Sequence, residues 1–258
     1  MAKEIYHVYN EAFRTILTLS SAAVINLING LYDTDYTLDS TIDYNWTEFD
    51  GEEYPHTLAD TVITINHQYS YHVEARLQKD DNLVFRVFEC GFYHANHRNQ
   101  TLSEEDAFAF PQPRVIYLYA VEDIPDEYAV TLDAGKAESF QYSIPVIKYL
   151  NTSPEELTRR KIAILVPFQL LKLQEVMKKE RSPENLEALK NLIQKDILGS
   201  IDTNLALGNI TLSDAGKLKY LTYQLYKYLY AHYDEIKVPS DIMGEYEVLA
   251  GDENAKGK

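Results

Sequence analysis

Phe13, Ile16, Leu17, Val24, Leu27 and Ile28 recur at helical spacing near the start of the chain, and Asn29-Gly30 supplies a stop signal. The pattern predicts one helix from about Glu4 to Asn29. Residues 31–57 are polar and rich in Asp and Tyr, and they end in a turn around Gly51 and Pro55. Two strands are then expected, LADTVITI and YHVEARL, joined by the polar turn Asn66–Ser70. A second helix is expected over about Asn82–His97, with Val84, Val87, Phe88, Gly91 and Ala95 on one face. Three further strand-like runs follow: RVIYLYA at 114–120, EYAVTLDA at 127–134 and SFQYSIPVIKYL at 139–150.

The period then becomes helical. Ser153-Pro154-Glu155-Glu156 combines a capping-box spacing with proline at the first helical position, and Ser182-Pro183-Glu184 repeats the start signal. Thr211-x-x-Asp214 opens a last helix whose buried stripe is Leu218, Leu221, Leu225 and Leu229. That helix also carries Tyr220, Tyr223, Tyr226, Tyr228, Tyr230 and Tyr233, an aromatic series that can stack bases or pack against protein. The expectation is an α/β core over 1–150, a helical region over 151–238 and a disordered polar tail over 239–258, with no internal repeat.

The chain has 258 residues, enough for a full core or a core with an appendage, and 45% are hydrophobic and 25% charged. No run approaches the roughly 18 apolar residues of a membrane span. The first residues lack a signal-peptide pattern, and Cys90 stands alone, so no internal disulfide or thiolate metal cage forms. These features suggest a cytoplasmic protein with no membrane partner. The net charge of −16 argues against a polyanion partner. Its distribution changes that picture. Residues 1–157 hold 9 Lys and Arg against 26 Asp and Glu, whereas 158–258 hold 15 against 14. Phosphate contact, if any, is expected in the late segment, where Arg159, Arg160 and Lys161 are adjacent; the same residues also suit solvated helix faces.

Alternation on YHVEARL puts His72, Glu74 and Arg76 on one face and Tyr71, Val73, Ala75 and Leu77 on the other. Three ionisable residues in a row are unexpected inside a strand flanked by elements on both sides. Asp60 begins the preceding run, and a hairpin-like return brings its carboxylate near Glu74. Carboxylates about 4 Å apart repel, and a hard divalent cation such as Mg²⁺ (or Mn²⁺) relieves that repulsion. Such a cation activates water, while a neighbouring positive side chain stabilises charge developing on phosphorus. Asp-x13-Glu-x-(Lys/Arg/Gln) is thus a physical design for phosphodiester hydrolysis, although a surface ion pair on an edge strand has the same spacing. His94 and His97 are three apart, lack an evident third ligand, and read as surface residues. Cys90 reads as a small core residue. There is no phosphate-cradling Gly-rich loop, no GxSxG and no HExxH.

The stretch LADTVITI…YHVEARLQKDDNLVFRVFECGFYHA, together with AFRTILTLS, LINGLYDTDY, RVIYLY, PDEYAVTLD and PFQLLKL, resembles the PD-(D/E)XK nuclease family transposases, relatives of the recombination-promoting nucleases. The resemblance covers roughly residues 10–235. It implies a restriction-endonuclease-like mixed sheet core flanked by helices, and metal-dependent cleavage of DNA in transposition or recombination. Asp60 stands where the family has its motif Asp, Glu74 where it has (D/E), and Arg76 where it has lysine or glutamine. The resemblance further implies Mg²⁺ on Asp60 and Glu74, with the Ala75 carbonyl as an added ligand and Glu11 as the helical acid. Arg86 matches an arginine often found on the following helix, positioned for the site or the DNA backbone. Cys90 departs from the family's tyrosine.

Arg76 is the departure with chemical consequences. A guanidinium stays protonated, so Arg76 is no general base, but it can clamp a phosphate oxygen. His72 is then a conceivable proton acceptor, or a histidine bonded to the neighbouring strand. Three readings result. The first is a Mg²⁺-dependent endonuclease acting on DNA. The second is a catalytically impaired nuclease-fold protein acting in DNA or protein binding. The third is a homodimer assembled through the tyrosine-rich helix.

Overall fold

The computed structural model describes residues 2–46, 61–98, 109–119, 123–133, 135 and 139–230, without the side chains of 2–7, 46, 97 and 98. It divides into two units, residues 1–17 with 28–152 and residues 18–27 with 153–258. The sequence reading had kept 18–27 within the first region and ended that region at 150. The expected tail at 239–258 lies outside the described residues.

The single helix expected over 4–29 is two helices, α1 (Ala2–Leu17) and α2 (Ser21–Tyr32). Ser20 makes the break. Its Oγ accepts the Ala23 amide at 3.3 Å, its carbonyl accepts the Val24 amide at 3.1 Å, and its own amide donates to Asp214 Oδ1 at 2.8 Å. A serine that caps the next helix and sends its amide to a side chain cannot continue the previous one. The apolar residues on both sides of the break are nevertheless buried, so periodicity alone did not register it.

In the first unit six strands form one mixed sheet in the order β1-β2-β3-β4-β6-β5. Their ranges are β1 Ile42–Trp46, β2 Thr61–Ile65, β3 Tyr69–Arg76, β4 Gln112–Tyr117, β5 Glu127–Asp133 and β6 Ser139–Lys148. β1, β2 and β3 run antiparallel in succession, β3–β4 and β4–β6 are parallel, and β5–β6 is an antiparallel pair at the far edge. β1 falls in the polar stretch that was not expected to be a strand. It is an edge strand with exposed alternate residues, which tolerates a sequence such as Ile-Asp-Tyr-Asn-Trp.

Helix α3 (Leu83–Arg98) is the crossover that the parallel β3–β4 pair requires. Paired residues on parallel strands share a face, so Glu74 lies with Val115 and Val146, and Arg76 with Tyr117 and Lys148. Leu83 and Val87 of α3 join Val115, Tyr117, Tyr142 and Ile144 in one buried cluster. The helix therefore covers the face that carries Glu74 and Arg76. On the opposite face Tyr71 packs against Tyr32 with ring centroids 4.5 Å apart, and Tyr32 donates to the His72 carbonyl at 2.9 Å.

The second unit is helical. α4 (Pro154–Arg159) and α6 (Pro183–Asn191) start at Ser153 and Ser182, whose hydroxyls accept the Glu156 and Asn185 amides. Between and beyond them lie an eleven-residue 3-10 run (Ala163–Leu173), α5 (Gln174–Lys179), a π turn (Leu192–Leu198) and α7 (Gly199–Ala206). The last helix, α8 (Leu212–Tyr230), opens on the expected Thr211/Asp214 box and buries Leu218, Leu221, Leu225 and Leu229. Tyr226 and Tyr230 are buried with them, and Tyr230 donates to the Leu170 carbonyl at 2.6 Å. Among the described residues no single helix is long and apolar enough to cross a membrane.

Candidate functional site

β3 is third of six strands, and every residue from Ser70 to Arg76 is buried. Its alternation aims Ser70, His72, Glu74 and Arg76 at α3, giving a stripe of polar side chains where apolar ones would ordinarily pack. From α3, Arg86, Cys90 and His94 follow at four-residue spacing and so lie along one side of the helix. All three are buried. The turn between β3 and α3 adds Asp80, whose carbonyl accepts the Leu83 amide and whose Oδ1 accepts the Asn82 amide at 2.9 Å.

Four charged side chains converge here. Arg76 Nη2 is paired with Glu74 Oε1, and Arg76 Nη1 lies 3.5 Å from Asp80 Oδ2. Arg86 Nη1 donates to the same Asp80 Oδ2 at 3.1 Å, and its Nη2 stands 4.0 Å from Glu74 Oε1. Two guanidiniums thus face two carboxylates and the group is neutral. Glu74 and Arg76 are 1% exposed, Arg86 8% and Asp80 22%, so Asp80 is the member that meets solvent. Taking such ions out of water costs several kcal/mol each, and mutual pairing is what offsets it. Tyr117 adjoins the group. Burial raises its hydroxyl well above the ordinary tyrosine value, a bond with Tyr128 at 3.2 Å raises it further, and the nearby Arg76 charge pulls the other way.

Farther along the stripe, Ser70 Oγ bonds Thr64 Oγ1 at 2.9 Å and His94 Nε2 at 3.1 Å. His94 is therefore not the surface histidine expected from sequence. It is 6% exposed because it shares the inner side of α3 with Arg86 and Cys90. The side chain of His97 lies outside the described residues. Cys90 is buried and reduced, and His72 is buried on the site face.

Glu74, Arg76 and Arg86 are brought together. Asp60 lies outside the described residues; Thr61, which follows it in sequence, pairs with Val73, which precedes Glu74. Glu11 is exposed on α1. Among the described residues no group of three His, Cys, Asp or Glu side chains is placed to hold a metal ion. Glu74 offers the hard oxygen that Mg²⁺ prefers, but two guanidiniums already flank it, and among the described residues no group of three such ligands forms around it. The described residues therefore do not fit a divalent cation by themselves.

In the second unit Arg159 and Lys161 are exposed and Arg160 is half-buried. Arg159 donates to both oxygens of Glu156, at 2.8 and 2.6 Å, so its charge is locally balanced. Lys178 and Lys190 are likewise paired, with Glu175 and Glu187.

Sequence reasoning passed over Asp80. Its signal was present: an acidic residue four after Arg76, in the turn before a helix, is placed both to brace that turn and to meet the strand's arginine. No protein-family model, no curated protein and no solved structure matches the chain.

Proposed function

We propose that the first unit is a nuclease-fold unit of the PD-(D/E)XK transposase kind that hydrolyses DNA phosphodiesters, with Glu74 and Arg76 at its centre. The observation that carries this reading is the burial of His72, Glu74 and Arg76 in a row on a central strand, under a helix that brings a second arginine to the same point. Apolar residues of similar volume often give equal or greater stability at such positions, so a buried row of this kind calls for a further reason. Active sites are where buried, closely set charges are arranged for chemistry, a feature they share with structural ion-pair networks. The mixed sheet with its β3–α3–β4 crossover agrees with a restriction-endonuclease-like core.

The roles follow from the chemistry of the chain's own residues. Arg76 and Arg86 present guanidinium forks suited to phosphate oxygens and to the charge that develops on them during hydrolysis. Neither can accept a proton. A Mg²⁺ or Mn²⁺ requirement rests on the family resemblance and on Asp60.

A second reading is favoured by the neutrality of the cluster: a nuclease-fold protein that binds DNA or protein without cutting, its glutamate retired into an ion pair. Plasmid DNA incubated with the full chain separates the two. The nuclease reading expects nicking or linearisation with Mg²⁺ or Mn²⁺, none in EDTA, and none with Glu74→Gln. Plasmid that stays intact under every metal condition while the protein retards it on a gel overturns hydrolysis in favour of binding.

A further inference from the structure

Asp80 Oδ2 occupies an unusual position. Two guanidiniums from different elements, Arg76 of β3 and Arg86 of α3, converge on this one oxygen at 3.5 and 3.1 Å. Two forks meeting at one anionic oxygen is the arrangement that recognises a phosphate. The carboxylate that fills it sits in the β3–α3 turn and is the most exposed member of the cluster, whereas both arginines are held in place by burial and by Glu74. We propose that Arg76 and Arg86 form a phosphate site for which Asp80 is the built-in occupant. A DNA backbone phosphate enters by displacing the Asp80 carboxylate, and Asp80 thereby sets how readily the centre opens.

Charge makes the exchange feasible. A phosphodiester carries one negative charge, as does the carboxylate it replaces, so the buried arginines stay balanced throughout. Asp80 moves outward into water and its charge is solvated there. No other described carboxylate fits this role. Glu74 is 1% exposed, lies deeper on the strand, and cannot leave without stranding Arg76. The identification of the phosphate as one in DNA rests on the nuclease reading; the two-arginine anion site does not.

The test is binding of inorganic phosphate and of a short labelled DNA duplex, both in EDTA, to the wild-type chain, Asp80→Asn and Asp80→Asn/Arg86→Gln. Asparagine keeps an acceptor for the Asn82 amide, so the start of α3 is preserved, while the competing charge is gone. Asp80→Asn is expected to bind both probes about 10- to 100-fold more tightly, the factor expected when one charge-assisted hydrogen-bonding competitor is withdrawn. Adding Arg86→Gln should erase that gain. Phosphate affinity that is unchanged or weaker in Asp80→Asn overturns the proposal. If circular dichroism shows that this variant has not folded, Asp80→Ser, which also keeps an acceptor for the turn, must give the same gain or the proposal falls. Tightening for inorganic phosphate alone upholds the anion site and removes DNA as its ligand. Tightening for both probes with plasmid left intact in Mg²⁺ and Mn²⁺ upholds the site and removes hydrolysis.

Discussion

Arg76→Met tests whether the buried cluster is an electrostatic unit. Methionine keeps the apolar stem of the arginine and discards its charge, leaving Glu74 and Asp80 opposite Arg86 alone. Removing one partner of a buried pair costs about 3–5 kcal/mol, because the other charge stays buried without compensation. Arg86 stands 4.0 Å from Glu74 and offsets part of the loss, so the lower end, about 3 kcal/mol, is expected. With a urea dependence of about 3 kcal/mol per molar for a chain of this size, the unfolding midpoint of the first unit should fall by about 1 M. The double variant Glu74→Leu/Arg76→Met removes both charges and leaves Asp80 paired with Arg86. It should regain at least half of the lost stability, since an apolar replacement for a buried ion pair is often neutral. Intrinsic tyrosine fluorescence and circular dichroism in urea follow both. The reasoning is refuted if Arg76→Met moves the midpoint by less than about 0.3 M, or if the double variant is no more stable than the single one.

Two further outcomes are expected. Burial pushes the Asp214 carboxyl upward, but hydrogen bonds from Ser20 (2.8 and 2.5 Å) and Thr211 (2.9 and 2.8 Å) outweigh it and hold the group below the ordinary aspartate value. A carboxylate with a lowered folded-state value stabilises above its unfolded value, near pH 3.9, and loses that contribution as pH falls through the folded one. Asp214→Ala should therefore cost about 2–4 kcal/mol at neutral pH. Its gap from wild type in denaturant melts should narrow in acid, and a constant gap would be the wrong result. Gly91→Ala places a Cβ 2.9 Å from Phe110 Cδ1, on a ring stacked with Phe88 and edge-on to Tyr142. The overpacking, about 1–3 kcal/mol, exceeds the helix-propensity gain of about 1 kcal/mol, so the melting temperature should drop rather than rise.

Strands β2 to β6, α3 and the capped starts of α4, α6 and α8 were legible in sequence because each rests on local signals: alternation, a 3.6-residue period, or Ser and Thr before Pro, Glu or Asp. The break at Thr18–Ser20 was not. It depends on Asp214, whose carboxylate takes the Ser20 amide from far along the chain. β1 was missed because its alternation, Ile42, Tyr44 and Trp46 against Asp43 and Asn45, spans only five residues inside a polar stretch rich in Asp and Tyr. At the site, alternation on YHVEAR put Glu74 and Arg76 on one face, and the resemblance singled out Arg86. Alternation alone does not say where these charges end. Asp80, passed over although it stands four residues after Arg76, is held between two arginines at the turn into α3. The burial of His94 likewise follows from the helix lying over β3, which no local pattern encodes.

The hydrogen bond between Ser20 and Asp214 joins residues 194 apart in sequence. Seen from the ribosome, Thr18–Leu27 emerges well before the rest of its unit, whose other part begins at Ser153. At about 5–20 residues per second it waits on the order of 10–40 s for Asp214 to be synthesised. During that interval Ala23, Val24, Ile25 and Leu27, all buried in the finished protein, have no permanent cover. The first unit can close around its sheet while this short apolar piece is held open, and the second unit cannot be completed until Asp214 has been made. Truncation after residue 152 would therefore leave a folding orphan near the N-terminus, and a chaperone that binds short apolar segments has its natural target there.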